Sequence, residues 1–215
     1  MVSLTTPPGR LGADAPAFDL PGIDGKRHTL DSSRGPNGLV VMFICNHCPY
    51  VKAIVDKIVR DAHDLAAAGV GCIAVMSNDP AEYPEDSFAN MQAVAARHGF
   101  GFPYVVDATQ EVARAYGAVC TPDFFGFDRE LRLVYRGRLD ASGRSPDPTA
   151  VRELYPAMLA VAPRAPAPAG HAPPVGRPGN RAAGGARPAP AAAGAGGRTG
   201  RREGAGRGPD RCGPR

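Results

Sequence analysis

Apolar positions in the first 160 residues fall into two kinds of block. Leu39 to Ile44 (LVVMFI) and Val70 to Met76 are unbroken apolar runs rich in β-branched residues. Such runs suit strands buried on both faces of a sheet. Between them Val51, Ile54, Val55, Ile58, Val59, Ala62 and Leu65 recur at helical spacing, which predicts a helix over 48–68 closed by Gly69. Upstream, residues 17–30 place Asp24-Gly25 between short extended pieces and predict an N-terminal β-hairpin. Downstream, a polar loop over 77–86 leads to a helix over 86–98 with Phe88, Met91, Val94 and Ala95 as its stripe. A strand follows at Pro103 to Val106, then a short helix over 109–116 with Val112 and Tyr116 inward. Phe124 to Phe127 and Leu131 to Arg136, joined at Asp128-Arg129-Glu130, read as an antiparallel hairpin. A helix over 148–160, interrupted at Pro156, ends the pattern.

Strands alternating with helices give an α/β class with a parallel sheet covered on both faces. The closing hairpin makes that central sheet mixed. Thioredoxin-like and flavodoxin-like arrangements both accommodate this order, so the motifs must choose between them.

Composition changes abruptly near residue 160. Residues 161–215 hold only Val161 and Val175 as large aliphatics, amid Pro, Ala, Gly and Arg. They cannot bury enough apolar surface to offset their ordering entropy. The expected organisation is one domain over 1–160 and a disordered tail over 161–215. Out-of-frame translation of a GC-rich gene gives the same composition, so a frameshift product is the other reading of the tail. The tail has ten arginines and two acidic residues, which leaves 15 basic and 19 acidic residues in the domain. The basic balance therefore belongs to the tail. Its charge is diffuse and lacks interleaved aromatics, so nucleic acid is not an expected partner. No secretory-type apolar segment opens the chain, and no run of about 18 apolar residues occurs. The expected compartment is the cytoplasm, with no membrane contact.

Five cysteines are present: Cys45, Cys48, Cys72, Cys120 and Cys212. Only Cys45 and Cys48 are closely spaced, and they fall where a buried strand gives way to a long helix. Pro49, tolerated only in a helix's first turn, puts the helix start near 46–49. Unpaired N–H groups at a helix N-terminus favour thiolate, the reactive form of cysteine. Cys45 is thus the expected attacking sulfur, with Cys48 one turn on to resolve a mixed disulfide. Asn46 and His47 between them tune the pair; a protonated His47 would stabilise the thiolate. Half a zinc site is the competing reading of Cys-X-X-Cys, but zinc takes about four ligands and no second pair of suitable spacing appears. Cys72, inside an apolar run, is expected in the core.

The stretches ADAPAFDLPGIDGKRHTL, LVVMFI, CNHCPYVKA and CTPDFFGFD together resemble the redoxin branch of the thioredoxin superfamily, more narrowly its peroxiredoxin-like AhpC/TSA group. The resemblance covers about residues 8–160. It implies a thioredoxin-like fold and a cis bond at Thr121-Pro122, which would present residue 121 to an incoming substrate opposite the dithiol. It also puts Cys120 near Cys45 and Cys48, as a third thiol or as a small buried residue. No metal or organic cofactor is implied, since the cysteines carry the electrons. The implied partners are protein or small-molecule disulfides and an upstream thiol reductant. Two departures stand out: Ile44 replaces the usual Trp, and no buried Asp is evident before the dithiol. Asp79 is the candidate proton acceptor for Cys48.

Disulfide exchange is the expected activity. The rival is a thiol-dependent peroxidase. That family usually places Pro and Thr or Ser ahead of its reactive cysteine, with an Arg for the peroxide. Here Cys45 occupies the hydroxyl position, and Arg136 or Arg138, read as solvated strand-end charges, are the arginines on offer. A third reading is a non-catalytic thioredoxin-fold binding module.

Overall fold

The computed structural model describes residues 9–162. The expected tail, with Cys212, lies outside the described residues except for Val161 and Ala162. Strands β1 (Asp19–Pro21) and β2 (Arg27–Thr29) form the N-terminal antiparallel hairpin. Helix α1 (Leu30–Ser33) follows directly and was not foreseen from the pattern. It has no apolar stripe; Thr29 and Ser32 cap each other reciprocally and satisfy its first N–H groups.

The remaining elements are β3 (Gly38–Phe43), α2 (Pro49–Ala67), β4 (Val70–Met76), a 3₁₀ turn (Pro84–Asp86), α3 (Phe88–His98), β5 (Tyr104–Val106), α4 (Glu111–Tyr116), β6 (Asp123–Phe127), β7 (Leu133–Gly137) and α5 (Leu154–Val161). The five-stranded sheet runs β5-β4-β3-β6-β7. Strands β3, β4 and β5 are parallel; β6 is antiparallel to β3 and β7 to β6. An antiparallel β6 beside the central strand decides for the thioredoxin-like arrangement.

Every residue of β3 is buried, as its continuous apolar run requires. Val40, Met42 and Ile44 face a core with Ile54, Ile58 and Leu65 of α2 and Met158 of α5. Leu39, Val41 and Phe43 face a second core with Val112 and Tyr116 of α4. This period-two alternation lets one strand serve both layers. Next to it, β4 runs hard against the end of α1: a Cβ added at Gly71 would fall on the backbone of Ser33 and Gly35. Only glycine allows that approach.

Two starts and one expected interruption differ most from expectation. Leu131 adopts φ +59 in the turn after β6, so β7 starts at Leu133. Helix α5 starts at Leu154, because the preceding segment is pinned by a bridge between Asp140 and Arg152. Pro156 does not interrupt α5. It sits in the first turn, where its missing N–H would have had no intrahelical partner.

Candidate active site

Cys45 lies just beyond the end of β3, and Cys48 is the N-cap residue of α2, with Pro49 as the first helical residue. Both sulfurs converge on Thr121. The Cys45 Sγ lies 3.1 Å from Thr121 Oγ1, and the Cys48 thiol donates to the Thr121 carbonyl at 3.2 Å. The Thr121-Pro122 peptide is cis, and Asp123 then opens β6. The strand entry that resemblance picked out therefore stands against the dithiol.

A residue that sequence reasoning missed organises the turn between the cysteines. Asp86, fully buried at the end of the 3₁₀ turn, accepts the Asn46 N–H at 2.6 Å and the His47 N–H at 3.2 Å on one oxygen. Its other oxygen takes the Asn78 amide at 2.9 Å and His47 Nδ1 at 2.7 Å. An ionised carboxylate only accepts, so Nδ1 is the protonated nitrogen of that bond. Tyr83 stacks on the His47 ring, centroids 4.2 Å apart. Asn46 turns inward, donating to the Glu85 carbonyl and accepting from Tyr104 Oη at 3.2 Å. The Asp79 carboxylate accepts the Ala81 N–H within its own turn. The one signal in the sequence was the acidic loop 77–86, whose register against the dithiol only the fold supplies.

This arrangement changes the electrostatics expected for Cys45. It precedes the helix by several residues, and the N–H groups of Asn46 and His47 are committed to Asp86. The Cys45 thiol is held well above the ordinary thiol range. Its hydrogen bond with the Cys48 sulfur is the main cause, then burial, with the Asp86 charge adding and Thr121 opposing.

The site opens into a cavity of about 490 Å³ lined by Cys48, His47, Tyr50, Tyr83, Cys120 and Thr121, among others. Cys45 is 1 % exposed and does not line it, whereas Cys48 is 7 % exposed and does. Cys120 is half-buried on the same wall. Cys72 is buried in β4 as expected, and its thiol is pushed up to about 12 by burial and by the charge of Asp61. Arg136 is no solvated strand-end charge. Its side chain is 8 % exposed, pairs with Asp123 at 3.1 Å and lies over the Phe125 ring. Arg138 is surface-exposed and bound to Glu153. Neither arginine lines the cavity. Among the described residues, Cys45, His47 and Asp86 bring donor atoms within 4.8 Å of one another, a spacing compatible with a metal. Asp86 already serves the Asn46, His47 and Asn78 donors, so an ion would have to break that network.

A mixed sheet of this order, with a Cys-X-X-Cys turn facing a cis-proline strand, defines a thioredoxin-fold thiol protein. The chain belongs to the AhpC/TSA family, which matches residues 11–136. It is 27% identical over 130 residues to the thiol-disulfide oxidoreductase ResA of Geobacillus thermodenitrificans (strain NG80-2), covering 57% of this chain and 66% of that one, just under two thirds of its length. It is similar to the crystal structure of an uncharacterized conserved protein from Geobacillus kaustophilus, at 43% identity and TM-score 0.65, over 76% of this chain and 88% of the other. The fold is shared with a thiol:disulfide interchange protein of the thioredoxin family from Chlorobium tepidum TLS, at 21% identity and TM-score 0.50, over 61% and 88% of the two chains. Among the described residues no helix is long and apolar enough to cross a membrane.

Proposed function

We propose that this protein is a thiol–disulfide oxidoreductase working through Cys45 and Cys48, with Cys48 meeting the substrate. The carrying observation is the asymmetry of the pair: Cys48 lines the cavity at the start of α2, while Cys45 is buried and does not line it. Cys48 attacks as thiolate, forming a mixed disulfide and releasing the first substrate thiol. Once Cys48 is in that disulfide, its hydrogen bond no longer holds the Cys45 proton. Cys45 then ionises and attacks the Cys48 sulfur, and the second substrate thiol leaves. His47, anchored through Nδ1 to Asp86, lines the cavity beside Cys48. Thr121 offers its carbonyl and hydroxyl to the two sulfurs. Cys120, on the same wall, is placed as an auxiliary thiol. The relative named ResA supports exchange chemistry. Arg136 and Arg138 are engaged elsewhere and do not supply a peroxide-binding arginine.

Trapping with a disulfide substrate tests the roles. Cys45→Ser should accumulate a mixed disulfide on Cys48, and Cys48→Ser should lose insulin disulfide reduction with dithiothreitol. A mixed disulfide that accumulates on Cys45 in Cys48→Ser, and not in the converse variant, would exchange the two roles. Rapid hydrogen peroxide consumption that survives Cys45→Ser would replace this reading with a peroxidase.

A further inference from the structure

The charges around the cavity do not follow those of the domain that contains it. Residues 1–160 carry more acidic than basic groups, 19 against 15. Yet among the described residues the side chains of fixed charge lining the cavity are Arg114 and Arg144, and none of the described carboxylates does so. The two arginines come from separate elements. Arg114 projects from α4 and donates to the Thr109 carbonyl, which uses one of a guanidinium's five donors. Arg144 belongs to the segment between β7 and α5. Its guanidinium lies 5.3 Å from the centre of the Tyr50 ring, with Nε donating to Tyr50 Oη at 3.1 Å, so it stands over the first turn of α2. Ser77, Asn78 and Gln110 add neutral polar groups to the lining. The volume, about 490 Å³, is that of a small-molecule site.

We infer that the cavity takes a low-molecular-mass disulfide bearing carboxylates, its anionic ends on Arg114 and Arg144 and its sulfur–sulfur bond at Cys48. The inference rests on the exchange reading above and adds the substrate class. The reaction balances without another reactant. The substrate's sulfur–sulfur bond breaks and a Cys45–Cys48 bond forms. Two electrons pass from the protein dithiol to the substrate, and the two thiol protons of the pair end on the two released thiols. Guanidinium groups bind carboxylates with paired, directional N–H donors, and a cavity of one charge sign raises the local concentration of the opposite ion.

The test uses the reduced full-length chain with three disulfides: oxidised glutathione (anionic), hydroxyethyl disulfide (neutral) and cystamine (cationic). Formation of the Cys45–Cys48 bond is followed by acid quenching, thiol blocking and mass spectrometry. Each rate is divided by that of dithiothreitol with the same disulfide, which removes intrinsic reactivity. At low salt the normalised rate for oxidised glutathione should exceed that for cystamine by about tenfold or more, and 0.5 M salt should compress the ratio. Arg114→Gln with Arg144→Gln should bring the ratio near one, whereas Arg129→Gln, at the far end of β6, should leave it unchanged. Equal normalised rates for all three disulfides in the unmodified chain would overturn the anionic substrate class while leaving exchange intact. If none of the three oxidises the pair, the exchange reading itself falls.

Discussion

Asp86 controls the dithiol from outside the motif. Its carboxylate holds the Asn46 and His47 N–H groups, and its charge helps keep the proton on Cys45. Replacing it with Asn removes the charge and keeps one acceptor. A nearby anion disfavours thiolate, so its removal favours it. In a Cys48→Ser background, the pH profile of Cys45 alkylation should therefore move to lower pH in Asp86→Asn. Asp86→Ala leaves buried donors without an acceptor and should cost about 3 kcal/mol in denaturant unfolding. Asp123 gives a second expectation. Burial against Arg136 pushes its carboxyl up from 3.8 to about 6, desolvation outweighing the ion pair. A folded value above the unfolded one means the stabilisation is full below about pH 4 and is lost as pH rises through about 6. Between pH 4 and 7 the parent chain should lose up to roughly 3 kcal/mol relative to Asp123→Asn, seen by paired urea titrations across that range.

At the scale of elements, sequence pattern and structure agree wherever one residue's neighbours in the chain carry the signal. The all-apolar β3, the α2 stripe and the Asp24-Gly25 hairpin were legible for that reason. The start of α5 was not, because Pro148 and Pro156 both suit a first turn and only the Asp140–Arg152 bridge selects the later one. Gly71 was read as part of an apolar run, while its reason for being glycine is the backbone of Ser33 and Gly35, distant in sequence. Those neighbours are main chain and cannot swing aside. Gly71→Ala should therefore lower stability by about 1–3 kcal/mol, measured by chemical denaturation. The dithiol was legible as a motif, but its orientation was not. Which sulfur faces the cavity depends on Asp86 drawing residues 46 and 47 inward, and that contact spans forty residues.

At the scale of the whole domain, the cavity wall carrying Arg144 is held in place by a partly buried cation. Lys57 of α2 donates to the Asp140 carboxylate at 2.6 Å, to Ser142 Oγ at 2.8 Å and to the Asp147 carbonyl. The Asp140 side chain is 1 % exposed, so Lys57→Met would strand a buried charge. The segment between β7 and α5 should then open, and limited trypsin digestion should cut after Arg144 well before it does so in the parent chain. A slow, unchanged digestion pattern would mean the segment is held by other contacts. The same lysine explains why the sequence left this segment unread, since its ordering comes from α2 and not from any local periodicity.

The dependence of the Cys-Asn-His-Cys turn on a carboxylate in another loop separates the motif from its temperament. Proteins that keep those four letters but carry a neutral residue opposite them should differ in oxidising strength and in which sulfur ionises first. Swapping only the 77–86 loop between two such chains would transfer that behaviour without touching a cysteine.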